Sequence, residues 1–411
     1  MIGEPTVSDR GPAKHFHGRK AISEDFKKLL DKAHHNKDGT IFLIQGAPGA
    51  GKTALLAECA KRAKEKGWKT AHISTRALHD PSALAKDLGV PYETQITKSK
   101  STGFSVVFSI VGGRKARERT QVYSGKDIGD ILRAESGERG LLLVLDEAQR
   151  LDIVTDNTLR DLTGETLKVI HNGEIGGPVV LLAGGLGTSE MVFEELGISR
   201  FGGGCLVRLG RLSAASEQAV IRDWLEKDGG AQGDMTLWIE AIARESYGWP
   251  QHIMAFVSPA TQWLRENGGE LSPAGLAYMT GAGQQRKEAY YAGRVGVLGK
   301  RARIALAQLL RQQEGERVLD EWDILAAFEK YRMRTAPEDV LEIMLHKGVL
   351  VKTHTGDYRV PIPSMEDWLV AHYGQPDQAL PPPQQTLPRS GGRAGDLERA
   401  RLPRRDDGWE R

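Results

Sequence analysis

Apolar residues in this chain gather in short unbroken runs and in helical stripes rather than spreading evenly. Three runs read as strands buried on both faces, the pattern of parallel strands. They are Thr40-Ile41-Phe42-Leu43-Ile44, Leu141-Leu142-Leu143-Val144-Leu145 and Val179-Val180-Leu181-Leu182-Ala183. Trp68-Lys69-Thr70-Ala71-His72-Ile73 and Cys205-Leu206-Val207-Arg208-Leu209 add two more strands. Helical stripes fall between them. Ile22, Phe26, Leu29 and Leu30 share one face, and 54–64 is rich in good helix formers. The helix 82–88 is started by Asp80-Pro81, an N-cap followed by proline in the first turn. Strands alternating with helices predict an α/β fold around a parallel sheet.

Past residue 211 the pattern turns helical. Ser213 caps a helix that runs to Asp228 and keeps Ala219, Ile221, Trp224 and Leu225 on one side. Helices 237–247 and 251–267 follow, then a Gly-rich, partly helical connection to Gly299. This unit reads as a lid. From Lys300 to His372 the order is helix (301–312), helix (320–331), helix (337–346), then a hairpin. The hairpin pairs 349–352 with 358–360 across His354-Thr355-Gly356-Asp357. That order predicts a winged helix. The expected division is a flexible N-terminus (1–13), an α/β core (14–211), lid and connection (212–299), winged helix (300–373) and a tail (374–411). The tail, with Pro381-Pro382-Pro383-Gln384-Gln385, reads as disordered by composition.

The 411 residues are too many for one compact core, and 27% charged with 40% hydrophobic residues suits a folded chain. A formal net charge of +2 gives no bulk argument for nucleic acid or membrane. No apolar run is long enough to span a bilayer, and the first 20 residues lack a signal-peptide core. Cys59 and Cys205 have no ligand-like spacing and read as packed thiols in a reducing compartment. The expected location is cytoplasmic. One segment stands apart: the β-prone run 104–111 leads into Arg114-Lys115-Ala116-Arg117-Glu118-Arg119. It reads as an edge hairpin with solvated charges, ahead of a contact with nucleic acid, membrane or a neighbouring subunit, because no aromatic residues interleave the charges.

The chemistry concentrates after the first strand. Gly46-Ala47-Pro48-Gly49-Ala50-Gly51-Lys52-Thr53 joins that strand to a helix. Strand, GxxxxGK[ST], helix is the context of a phosphate-binding loop. Its glycines let backbone N–H groups face an anion, and the helix dipole favours negative charge. Lys52 can reach the β- and γ-phosphates, and the Thr53 hydroxyl can ligate Mg²⁺. The run 141–145 ends in Asp146-Glu147. Asp146 suits the metal, and Glu147 suits a general base on the attacking water. Two carboxylates at the end of a buried strand are costly unless they meet a cation. Nucleotide hydrolysis therefore leads. A small-molecule kinase is the poorer reading, since it needs neither Glu147 nor a winged helix.

Weaker candidates surround this pair. Gly18-Arg19 lies in the turn before the first helix and either approaches the base or is a surface turn. Arg200 either serves a neighbour's nucleotide as an arginine finger or pairs with Glu194 or Glu195. After the strand 179–183 the first positions are Gly184 and Gly185, so a γ-phosphate sensor would fall to Thr188. The third helix of the winged-helix segment carries Glu338, Asp339 and Glu342 against Lys347. It repels phosphate, so a protein contact is favoured over DNA.

Together, Phe16-His17-Gly18-Arg19, the phosphate loop, Asp146-Glu147-Ala148-Gln149, Arg200 and Gly248-Trp249-Pro250 resemble the AAA+-related bacterial P-loop ATPases. The nearest groups are the origin-recognition-like AAA+ proteins and the STAND ATPases. The resemblance spans about residues 14–372. It implies a parallel sheet in AAA+ strand order, a helical lid and a winged helix. It also implies ATP with Mg²⁺, a nucleotide contact near Pro250, a protein partner, and a homo-oligomer if Arg200 acts between subunits. Gly184 and Gly185 depart from the origin-recognition pattern, while Gly-x-Pro in the lid is nearer the STAND pattern. No sensor repeats follow. The two functional expectations are an ATPase that couples hydrolysis to a macromolecular partner, and a slow nucleotide switch.

Overall fold

The computed structural model describes residues 13–91, 108–111, 114–117, 125–154, 156–202, 204–313, 317–353 and 355–375. The expectations for the flexible N-terminus and the tail lie almost wholly outside these residues. The core opens with α1 (Lys20–Asn36), β1 (Gly39–Gly46), α2 (Lys52–Glu65), β2 (Lys69–His72) and α3 (Pro81–Leu88). Asp80 caps α3, its carboxylate accepting from the N–H groups of Ser82 and Ala83, as the sequence predicts. Strands β3 (Phe108–Val111) and β4 (Arg114–Arg117) form an antiparallel pair apart from the main sheet. The rest of the 97–120 segment lies outside the described residues. Then follow α4 (Gly125–Ser136), β5 (Leu141–Leu145), α5 (Asn157–His171), β6 (Val179–Gly185), α6 (Ser189–Glu195) and β7 (Leu206–Leu209).

The main sheet has the order β2-β5-β6-β1-β7, all parallel. Ile41 to Ile44, Leu141 to Leu145 and Val179 to Ala183 are buried throughout, which is why these stretches are uninterrupted apolar runs rather than alternating ones. The pleat divides them between two cores. Phe42, Ile44, Leu142, Val144, Val180 and Leu182 join the face carrying α1 and α2. Ile41, Leu43, Leu141, Leu143, Leu145, Val179 and Leu181 join the face carrying α3, α4 and α5. Each fully buried leucine here stabilises by about 1.5–3 kcal/mol. Cys59 and Cys205 are buried free thiols within the first core.

The lid comprises α7 (Ala214–Asp223), continued by a π turn to Asp228, α8 (Thr236–Ser246), α9 (Pro250–Glu266) and α10 (Pro273–Val295). It has its own core around Ile221, Leu225, Trp238, Ile242, Phe256 and Leu264. The buried Glu217 carboxylate binds the lid turn together, accepting from Ser246 Oγ at 2.5 Å and Gly248 N at 2.7 Å. The sequence predicts a Gly-rich, partly helical connection after Asn267, and here the structure differs. Residues 273–295 are one continuous helix. Gly275 and Gly283 are not breakers but points of close approach, because a Cβ on either would overlap Trp263 or Phe256 of α9.

The C-terminal segment holds α11 (Lys300–Gln312), α12 (Glu321–Lys330), α13 (Pro337–His346), β8 (Val351–Lys352), β9 (Tyr358–Arg359) and α14 (Met365–Tyr373). Helix α14 goes beyond the expected elements, and Leu319 pairs with Tyr358 as a third rung beside the hairpin. The core of this segment is continuous with that of the α1–α2 face, from Phe42 through Leu306 to Leu369. Met1–Gln375 forms a single compact unit. Among the described residues, no helix is long and apolar enough to cross a membrane.

Candidate nucleotide site

The site sits at the C-terminal edge of the sheet, where β1 feeds the loop 46–51 and α2 begins at Lys52. Gly49 (φ 81°) and Gly51 (φ 90°) adopt left-handed backbone that side chains resist, and this turns the loop onto the helix N-terminus. Lys52 Nζ donates to Gly46 O at 2.8 Å and Ala47 O at 3.1 Å. Burial pulls its pKa down to about 8, against an opposing pull from Asp146, with Arg294 lowering it further and Glu147 raising it. Lys52 is thus a poised, half-desolvated cation with two carboxylates near it.

Thr53 Oγ1 donates to Asp146 Oδ2 at 2.7 Å. Strand β5 is separated from β1 by β6, so this contact needs a gap. Gly184 on β6 supplies it: a Cβ there would meet Leu56 Cδ1 at 2.7 Å and Asp146 Oδ1 at 3.4 Å. The glycines that break the sensor pattern therefore have a packing cause. Hydroxyl and carboxylate oxygens side by side are the hard donor set that Mg²⁺ takes, so these residues fit that ion. Glu147 takes left-handed backbone (φ 57°). Its N–H donates to Asp146 Oδ1 at 2.9 Å, and its carboxylate pairs with Arg150 Nε at 2.5 Å.

The loop is gripped from outside the core. Gln251 N donates to Gly49 O at 3.2 Å, and Tyr290 Oη donates to Pro48 O at 2.8 Å. The Pro250 ring stands over Gly51, with its Cγ 3.5 Å from where a Cβ would lie. From the C-terminal segment, Gly348 (φ 67°) packs on Pro48 so tightly that a Cβ would come within 2.6 Å of the proline ring. His346 Nε2 lies 3.4 Å from Asp152 Oδ2, in the turn that follows Asp146-Glu147.

The other sequence candidates fall further out. Gly18 packs against Ser216 at the start of α7, and the Arg19 guanidinium donates to Gly210 O. Burial lowers the Arg19 pKa. The Gly18-Arg19 turn thus joins core to lid. Arg200 is exposed and makes no ion pair among the described residues. Glu195 instead pairs with Arg160. Thr188 is buried at the start of α6, and its hydroxyl has no hydrogen-bond partner among the described residues. Sequence reasoning missed Tyr290 and Arg294, whose guanidinium stacks over the Tyr290 ring at 5.3 Å. Their i, i+4 spacing was a usable signal, hidden by reading 268–299 as a connection.

Residues 15–170 match the AAA ATPase domain family. That match and the parallel sheet agree on an α/β P-loop fold for this stretch. No curated protein matches the chain in sequence. In fold the chain is similar to a Walker-type ATPase of Pyrococcus abyssi, at 12% identity and a TM-score of 0.56, covering 88% of this chain and 98% of that one. It is also similar to the ORC2 protein of Aeropyrum pernix, solved in ADPNP-ADP complexes, at 15% identity and a TM-score of 0.52, covering 89% and 94%. The parallel sheet, its strand order and the expected P-loop α/β class are borne out.

Proposed function

We propose that this chain binds and hydrolyses ATP and passes its nucleotide state to a macromolecular partner. The observation that carries this is the grip on the phosphate loop by Gln251, Tyr290 and Gly348. A loop held from the lid and from the C-terminal segment cannot change shape alone. In this reading the loop 46–51 and Lys52 hold the phosphates, with Pro250 beside them. Thr53 and Asp146 hold Mg²⁺, which neutralises phosphate charge when bound. Glu147 releases Arg150 and takes the proton of the attacking water. Arg294 reaches the phosphates from the lid, the Gly18-Arg19 turn borders the base, and exposed Arg200 serves a neighbouring copy. The domain limits are 14–211, 212–299 and 300–373, the last a winged helix. It contacts protein rather than DNA, because the end of α13 is seated on the loop and its exposed side carries Glu338, Asp339 and Glu342. Free buried thiols suit a reducing, cytoplasmic setting.

The same grip also favours a second reading, a slow switch whose ATP and ADP states differ in surface. Glu147→Gln separates the two. It keeps shape but cannot accept a proton, so ATP affinity should hold while phosphate release falls by about 10²–10⁴-fold. Unchanged turnover would remove Glu147 as base and leave the switch. For Arg200, mixing Arg200→Ala with Lys52→Ala protein should restore some turnover. A dead mixture from an oligomeric wild type sinks the finger.

A further inference from the structure

Helices α9 and α10 border a half-open pocket of about 140 Å³, whose lining sets His252, Ser258, Arg286, Lys287, Gln251 and Tyr290 beside the apolar Met254 and Ala255. It lies outside the phosphate loop, and of its lining only Gln251 and Tyr290 enter the reading above. Its lining is unusual in two ways. His252 is fully buried, and among the described residues neither ring nitrogen closes a hydrogen bond of good geometry, the Ser246 backbone making the nearest approach. Buried polar groups are ordinarily paired, so an imidazole left with a poorly satisfied nitrogen beside a cavity marks a partner to come. The second feature is charge. Lys287 is buried, resting over the Phe256 ring at 5.5 Å and within 3.4 Å of Glu245 Oε2. Arg286 is exposed at the mouth and makes no ion pair among the described residues. Glu245 is shared between Lys287 and Arg244, so cations outnumber carboxylates around the cavity.

We propose that this cavity is a second anion site, taking a small tetrahedral oxyanion of the orthophosphate class. The volume is that of four or five waters at about 30 Å³ each, enough for such an ion and well below the roughly 300 Å³ of a nucleotide-sized pocket. Lys287 and Arg286 supply charge, Ser258 Oγ supplies a hydroxyl, and His252 supplies an N–H. The groups facing His252 are Lys287, Tyr290 and Tyr291 from α10 and Arg211 from the segment before α7. Burial first, then Lys287 and Arg211, hold its pKa down to about 3, so the ring is neutral at neutral pH. An anion in the cavity offsets those two cations and accepts from the one imidazole N–H that faces it, which moves the His252 pKa upward. The site also has leverage. Gln251 and Tyr290, which line the cavity, are the residues that hold Gly49 O and Pro48 O. An occupant therefore acts on the phosphate loop from behind.

The test is calorimetry of sodium sulfate and inorganic phosphate on the full chain carrying Lys52→Ala, which removes the cation of the phosphate loop, so that the Arg286, Lys287 and His252 changes report on the cavity. Sulfate does not titrate near neutral pH, so any proton taken up goes to the protein. The expected result is saturable binding of one anion per chain, with proton uptake that grows as the pH is lowered, read from two buffers of different ionisation heat. Adding Arg286→Ala, an exposed change that leaves folding intact, should weaken binding about tenfold, and adding Lys287→Met should do so more strongly. Adding His252→Asn should abolish the proton uptake. Binding present with Lys52 intact but absent without it would assign the anion to the phosphate loop and overturn the proposal. Equal affinity with and without Arg286 would also overturn it. ATP binding by the unmodified chain is scored separately, so the nucleotide reading stands or falls on its own.

Discussion

The pKa of Lys52 makes one lysine act in opposite directions on fold and ligand. Its ordinary value of 10.5 falls to about 8, chiefly through burial. ATP needs the charged form, because a neutral amine has no charge for the phosphates. At pH 7 about nine in ten molecules carry that charge, and at pH 9 about one in ten. Apparent ATP affinity should therefore fall by about tenfold between pH 7 and 9, the loss of the competent fraction. Fold stability should move the other way. Between pH 8 and 10.5 the unfolded chain holds the Lys52 proton and the folded chain does not, so stability rises with pH across that window. At about 1.4 kcal/mol per pH unit the relief approaches 3 kcal/mol. Lys52→Arg removes both effects, since guanidinium stays charged throughout. The assays are ATP titrations at half-unit pH steps and urea melts of both proteins over the same range. A wild-type affinity that stays flat to pH 9.5 while the loop binds ATP would refute the reasoning.

Two further predictions rest on packing. Gly281 faces open space whereas a Cβ on Gly283 would overlap Phe256, so Gly281→Ala should stabilise by about 0.5–1 kcal/mol through helix propensity, and Gly283→Ala should destabilise in the same urea melts. If the two shift the midpoint alike, α10 does not sit on α9 as described. Gly348→Val puts a branched side chain at φ 67° and against Pro48, and should cost about 1–3 kcal/mol, with faster proteolysis of the C-terminal segment as the second readout.

What the sequence made legible was the part governed by local rules. The five parallel strands, the Asp80 cap on α3, the phosphate loop and the Asp146-Glu147 pair follow from runs, caps and spacing that need no partner to interpret. The grip on the loop did not follow. Tyr290 and Gly348 act through contacts made across hundreds of residues, and only the i, i+4 spacing of Tyr290 and Arg294 offered a local hint. Helix α10 was hidden by its glycines, which as single residues signal breaks and only in the packed lid prove to be contact points. The partnership of Gly184 with Leu56 and Asp146 was equally invisible, because an absent side chain has meaning only beside what fills its place.

The contact between Pro48 and Gly348 joins residues 300 apart in the chain. A ribosome adding about 5–20 residues per second leaves about 15–60 s between the synthesis of one and the other. From the synthesis of β7 onward the partners of β1 are all present while the segment that seats on Pro48 does not yet exist. A nascent chain thus passes through a period in which its phosphate loop is open to the cell's nucleotide pool without the restraint of the finished protein.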